Sequence, residues 1–194
     1  MTEAHLFALG LALACLAGVR AYLTVFGVGI AGLMGWVELP AALAATTSPW
    51  VLGTAGALAV VEFAADKIPG VDSGWDLLQT LARIPAGAFL AAATLSDDGQ
   101  LSGSALALGG GAALGTHLLK SGTRALINAS PEPVSNWAAS AGEDGAALGA
   151  MSLVFIYPWA ALALLLGVLL AGALFVAWVA RWVWRLSGRA AADR

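Results

Sequence analysis

Between two stretches built almost wholly of Ala, Leu, Val and Gly, residues 62–83 crowd Glu62, Asp66, Lys67, Asp72, Asp76, Gln79 and Arg83 into one short run. In a soluble chain this would be an ordinary wet loop, but here the flanks have the character of membrane helices. An Asp, Lys or Arg at the centre of a bilayer is penalised by roughly 2.5–3.5 kcal/mol on insertion scales, so it requires a partner, a watery cavity or a task. Spacing indicates how the groups are displayed. Glu62 and Asp66 stand four apart on one helical face, Pro69-Gly70 then halts that helix, and Asp76, Gln79 and Arg83 follow at i, i+3 and i+7 on the next.

The second half uses the same pattern. His117, Lys120 and Arg124 fall at i, i+3 and i+7, with Asn128 four residues on. After Ser130-Pro131-Glu132-Pro133 come Asn136, Ser140 and Glu143 at i, i+4 and i+7, with Asp144 adjacent. The chain is 60% hydrophobic and 11% charged with mean hydropathy +0.84, where globular domains carry about 25% charge. The expectation is an all-α integral membrane bundle, a single domain over residues 1–187 with a polar cytoplasmic tail at 188–194. No Lys/Arg cluster suits nucleic acid. The one cysteine, Cys15, rules out an intrachain disulfide and any multi-Cys metal site. With no HExxH, G-x-S-x-G or P-loop pattern, no cofactor is expected. The metal question is left open by the carboxylates near His117.

Six spans are predicted. The first runs from Ala4 to Val37, too long for one upright crossing, and is either tilted or broken near Gly18, with Arg20 in its middle. It is read as an uncleaved span, since Met1–His5 contains no Lys or Arg and the apolar sequence continues past any cleavage site. The others are Pro49–Lys67, Trp75–Leu95, Leu101–Ile127, a fifth to Ile156 and a sixth to Trp184, the last two separated at Tyr157-Pro158-Trp159. Gly111 and Gly115, in the run from Gly109, form a GxxxG suited to close helix approach, and glycine-rich faces would also suit a homo-oligomer. Trp178, Trp182 and Trp184 with Arg181 and Arg185 read as an interfacial anchor. With both termini cytoplasmic, Lys67, Lys120, Arg124, Arg181, Arg185, Arg189 and Arg194 lie on or near the inner side. The outer loops carry Glu38, Asp97 and Asp98 and no Lys or Arg, which is the positive-inside distribution. Gly18–Leu23 is similar to Gly122–Ile127, Ser48-Pro49 to Ser130-Pro131, and a glutamate follows each, Glu62 and Glu143. These matches predict two inverted three-helix repeats, 1–97 and 101–187. That construction is typical of secondary transporters, whose sites lie near the midplane where the repeats meet.

The same residues carry a family resemblance. Gly18-Val19-Arg20-Ala21-Tyr22, the run from Glu62 to Asp76, Arg83 with Pro85-Ala86-Gly87, His117 with Lys120 and Arg124, and Ser130-Pro131-Glu132-Pro133 with Ser135-Asn136 and Glu143-Asp144 resemble the signature of a bacterial membrane family known as domain of unknown function 4126. The resemblance spans nearly the whole chain and implies a small polytopic membrane protein, with no activity to carry over.

Function is therefore read from the polar groups. Arg20, Arg83, His117, Lys120, Arg124, Asn128 and Asn136 are candidates for binding a small anion or an anionic lipid headgroup, arginine offering a bidentate fork. Glu62, Asp66, Lys67, Asp72, Asp76, Gln79, Glu143 and Asp144 are candidates for coupling or gating, in a transporter of the inner membrane whose partners are the bilayer and that anionic solute or lipid. A channel, an intramembrane enzyme acting on a lipid, and a structural subunit are the alternatives. The plainer reading is that these groups pair with one another and fix helix register. For any one residue that is the commoner use, but ten ionisable groups exceed what register requires. One of them, Asp72, would mean little if it sits in a wet loop, as would Glu132 outside the set.

Overall fold

Prolines and small hydroxyl residues set where the helices begin. In the computed structural model, which describes residues 2–68, 70–96, 99–128 and 133–192 with the side chains of 73, 126–128, 133–136, 180 and 182–192 excepted, the chain is helical throughout, with no strand among the described residues. The α-helices are α1 (Glu3–Val19), α2 (Ala21–Leu33), α3 (Pro49–Ala65), α4 (Val71–Thr94), α5 (Gly103–Asn128), α6 (Pro133–Ile156) and α7 (Pro158–Ala192), with a short 3-10 helix at Ala41–Thr47 before α3. Ser48 caps α3 by accepting from the Val51 amide, and Pro49 fills the first helical position, where a missing N–H costs nothing. Pro158 opens α7 after the single non-helical residue Tyr157, which is the expected break. Gly70 takes a positive φ of 86°, and its amide is held by the Asp72 carboxylate at 2.9 Å, so α4 starts at Val71 and not at Trp75. Asp72 is consequently part of the helix and buried, not a wet loop residue.

The expected first span is two helices. Arg20 alone separates α1 from α2, with an extended backbone (φ −143°, ψ 82°). Its amide still donates to Leu16 and its carbonyl accepts from the amide and hydroxyl of Thr24, so the break leaves neither backbone group unpaired. The packing partners fix the directions on either side. Along α1, Gly10 lies on Ala91 and Thr94 of α4, Gly87 lies on Ala14, and Lys120 reaches the Val19 carbonyl. Along α2, Gly56 lies on Phe26, and Gly29 on Thr46 and Leu52. Thus α1 runs down α4 to Arg20 and α2 returns alongside α3. At 1.5 Å per residue the two arms are only about 25 and 20 Å long, each short of a roughly 30 Å hydrocarbon core. α5 also runs toward this end, since Thr116 bonds the Cys15 carbonyl at 2.8 Å and Lys120 reaches Val19. α1 and α5 therefore run parallel as far as Arg20, and the matched stretch Gly18–Leu23 straddles the turn while Gly122–Ile127 lies within one helix.

Close approach between α1, α4 and α5 depends on glycine, though not on the pair expected. A Cβ on Gly18 would collide with the Ala113 carbonyl and Thr116, and one on Gly109 would stand 2.5 Å from the Gly87 carbonyl oxygen. Gly111 faces open space and Gly115 makes only ordinary contact with Leu169. The choice follows from which face of α5 meets α4, and the stripe of His117, Lys120 and Arg124 had already marked that face. Away from the polar end, Leu9, Leu13, Val28, Leu43, Leu90 and Val154 form the main apolar core.

Among the described residues two helical segments are long and apolar enough to cross a membrane, Gly74–Thr94 in α4 and Pro158–Val179 in α7. A third crossing is available if Ala41–Thr47 and α3, bent by 65° relative to one another, act as one span. Trp50, Leu77, Leu81 and much of α7 point outward. In the expected anchor Trp178 is exposed and Arg181 donates to the Ala177 carbonyl, while the side chains of Trp182, Trp184 and Arg185 lie outside the described residues.

Candidate functional site

The helix ends that meet at the Arg20 turn bring five cations and six carboxylates into one connected network. Arg20, at the turn, binds Asp66 at the end of α3 (2.6 Å) and Asp144 on α6. Lys67 also reaches Asp144 (3.0 Å), with its ammonium 3.1 Å from the centre of the Phe63 ring and within 3.5 Å of Ser140. Lys120 binds Asp66 (2.9 Å) and lies 3.5 Å from Asp76 and 3.7 Å from Glu143. Arg124 grips Glu143 with both Nε and Nη2 at 2.9 Å, the fork geometry that makes such pairs strong. It also lies 3.8 Å from Asp72 and 4.0 Å from Asp66. Arg83 completes the set, bonding Glu62 (2.9 Å), Asp76 (2.8 Å) and Gln79 (2.8 Å).

Helical spacing explains the display. Asp76, Gln79 and Arg83 form one buried stripe of α4, facing the buried stripe of His117, Lys120 and Arg124 on α5. Glu62 and Asp66 project from the end of α3, and Glu143 and Asp144 from the third and fourth turns of α6. Arg20, Glu62, Asp66, Asp72, Arg83 and Arg124 are almost wholly enclosed, whereas Lys67, Glu143 and Asp144 keep 14–20% of their side-chain surface. All these predicted positions meet in one place. Asn128 and Asn136 have side chains outside the described residues.

His117 is fixed by its neighbours. Arg83 Nη1 lies 2.9 Å from Nδ1, and a guanidinium can only donate, so Nδ1 accepts and Nε2 carries the proton. That proton points at Thr80 Oγ1, 2.7 Å away. The imidazole is thus a neutral bridge between α4 and α5. Thr80 was not singled out in the sequence, although it stands four residues after Asp76 and could have been read as part of that stripe.

Charge counting gives the network its character. Five cations against six carboxylates, with neutral His117, leave an excess of one negative charge among the described residues. Several buried polar atoms of the network also have no hydrogen-bond partner among the described residues, including Arg20 Nε, Glu62 Oε2, Asp66 Oδ1 and Gln79 Nε2. Among the described residues no group of three or more His, Cys, Asp or Glu side chains has the arrangement of a metal site.

The family model described as "Domain of unknown function (DUF4126)" matches residues 7–181. The chain belongs to that family. The match takes in every member of the charge network, from Arg20 to Asp144, and both arms of the α1–α2 hairpin. No curated protein and no solved structure matches the chain.

Proposed function

We propose that this family member is a multi-pass transporter of the inner membrane that moves a small anion, or an anionic headgroup, together with a proton. The observation that carries this reading is the convergence of eleven formally charged groups from α3, α4, α5, α6 and the Arg20 turn on one enclosed network. Buried ion pairs contribute little net stability, because desolvation offsets their attraction, so apolar side chains would hold the same helices at lower cost. Every cation is already occupied. An incoming anion therefore binds Arg20 or Arg124 only by displacing a carboxylate, and the partly exposed Asp144 and Glu143 are the ones free to leave. A carboxylate stripped of its cation in a low-dielectric interior is costly and is neutralised by a proton. Anion and proton then travel together, with Glu62, Asp66, Asp72, Asp76 and Gln79 holding the remaining charges in register.

The hairpin revises the expected topology within this proposal. α1 and α2 re-enter from one side, α3 to α7 make five crossings, and the termini lie on opposite faces. Lys67, Lys120, Arg124 and Arg181 stand toward the side where α3, α5 and α7 end, which the positive-inside rule makes cytoplasmic. The broad outward exposure of Trp50, Leu77, Leu81 and Leu170 fits an exterior solvated by lipid. The test is reconstitution in liposomes. An inward proton gradient drives uptake of labelled phosphate or acetate in the wild type, and Arg20→Gln and Asp144→Asn abolish it. Uptake indifferent to the gradient, currents of channel size, or chemical alteration of the liposome lipid would each replace the proposal with one of the alternatives.

A further inference from the structure

The charge network is not sealed on all sides. Arg20 and Glu62, both buried, and the half-buried Asp144 form the inner wall of a crevice of about 450 Å³ between α2, α3 and α6, whose other walls and exposed rim are apolar, including Val60, Phe63 and Leu148. A second apolar cavity of about 440 Å³ adjoins it, sharing Leu23, Phe26 and Leu148, and continues along α2 and α6 to Ile30 and Ile156. From Arg20 to Ile30 this groove follows about 15 Å of helix, roughly half the thickness of a hydrocarbon core and so the depth of one leaflet. Each cavity lies within the roughly 300–1,000 Å³ range of ligand sites.

Bulk lipid fills shallow grooves on any membrane protein, but the inner wall here has specific chemistry. Arg20 Nε is a buried donor without an acceptor, and Glu62 Oε2 a buried acceptor without a donor. Both residues line the crevice. The occupant must accept from one and donate to the other, and must bring no net charge to a network that already carries one carboxylate too many. A protonated carboxyl does this from two oxygens. A carboxylate is one proton from neutrality, whereas a phosphate monoester needs two and a sulfonate is too strong an acid to take one, and a hydroxyl must serve both protein atoms from one oxygen. We propose that the groove is a lipid-side binding site for a single-chain carboxylic acid, its chain along α2 and α6 and its protonated head between Arg20 Nε and Glu62 Oε2. This rests on the transport reading and deepens it, naming the chemical class of the anion and the protonated form in which it docks from the lipid.

The probe is a dodecanoic acid bearing a photoreactive diazirine, applied to the purified full-length protein in lipid nanodiscs, with cross-linked peptides mapped by mass spectrometry. Labelling on α2 and α6 around Leu148 and Met151 is expected. Unlabelled dodecanoic acid should compete about tenfold better than dodecyl phosphate or dodecanol. Leu148→Trp and Val60→Trp, both at exposed rim positions and so tolerated by the fold, should each cut labelling by about tenfold. Glu62→Gln, which keeps the acceptor to Arg83, should erase the preference for the acid over the alcohol. Equal competition by all three amphiphiles, or labelling unchanged in both tryptophan variants, overturns the proposal. Acetate uptake into proteoliposomes separates the two readings. Proton-driven uptake without groove labelling leaves transport standing and removes the lipid-side site, whereas specific labelling without uptake removes transport and leaves the site.

Discussion

Replacing Arg83 by Met tests whether the network is a dry, charge-limited cluster. The guanidinium is completely enclosed and meets Glu62, Asp76, Gln79 and His117 at 2.8–2.9 Å. Two estimates of its removal differ. Interhelical polar contacts in membranes average about 0.6 kcal/mol in double-mutant cycles, because the unfolded chain in lipid finds other partners. Breaking a buried ion pair by deleting one partner costs about 3–5 kcal/mol, because a charge is left uncompensated. The second should dominate here, since losing Arg83 raises the excess of carboxylates from one to two. Glu62→Gln has the opposite effect on the count: five carboxylates then face five cations, the Oε1 acceptor to Arg83 remains, and a cost of about 1 kcal/mol or less is expected. The double variant returns to an excess of one and should recover about 2 kcal/mol relative to Arg83→Met alone. Reversible unfolding in mixed detergent micelles measures all three. A cost below about 1 kcal/mol for Arg83→Met, or equal costs for the two single variants, would mean that water already compensates these charges, and the reasoning from burial would fail.

Glycine packing predicts a contrast within one bundle: Gly18→Ala should cost about 1–3 kcal/mol by driving a methyl into the Ala113 carbonyl, whereas Gly111→Ala, with open space around it, should be neutral or stabilising, as thermal melts would show. Thr80→Val removes the acceptor of the His117 Nε2 proton, and leaving that buried donor unpaired should cost about 1–3 kcal/mol, with the imidazole nitrogen shifts reporting the lost bond by NMR. The hairpin predicts opposite faces for the two ends. In a Cys15→Ala background, an impermeant maleimide should label Glu3→Cys from the side opposite to a C-terminal reporter, and labelling from the same side would restore a single first span.

Much of this site was legible because helical periodicity is local. Asp76, Gln79 and Arg83 could be assigned to one face of α4, and His117, Lys120 and Arg124 to one face of α5, before any contact was known, and those faces do meet. The partners were not legible, since nothing in the spacing says that Arg20 takes Asp66 and Asp144 or that Arg124 takes Glu143. The GxxxG motif misled for a related reason. Gly111 and Gly115 share a face, but the face used is that of Gly109, which points at α4.

The turn at Arg20 was the least legible feature and explains the rest. Neither proline nor glycine breaks the helix there, and Gly18, the apparent breaker, serves instead to bring α1 against α5. The residues on either side of Arg20 are helix-compatible, and the Arg20 amide and carbonyl keep their helical bonds to Leu16 and Thr24. What opposes continuation is the charge. A straight helix would carry the guanidinium along a 31-residue apolar rod into lipid, uncompensated, at a cost of roughly 2.5–3.5 kcal/mol or more. One extended residue, by contrast, forgoes only the few bonds that would span it and keeps those of its own amide and carbonyl to Leu16 and Thr24. The turn then delivers Arg20 to Asp66 and Asp144, carboxylates that come from helices far apart in sequence. The fold of the first third of the chain is thus decided by where the acidic partners of one arginine lie. Arg20→Leu should therefore do more than weaken the bundle. It should let α1 and α2 straighten into one span, moving Glu3 to the other face of the membrane, and maleimide accessibility at Glu3→Cys would register that inversion. A hairpin that persists in the leucine variant would show that packing of Gly18, and not charge, sets the turn.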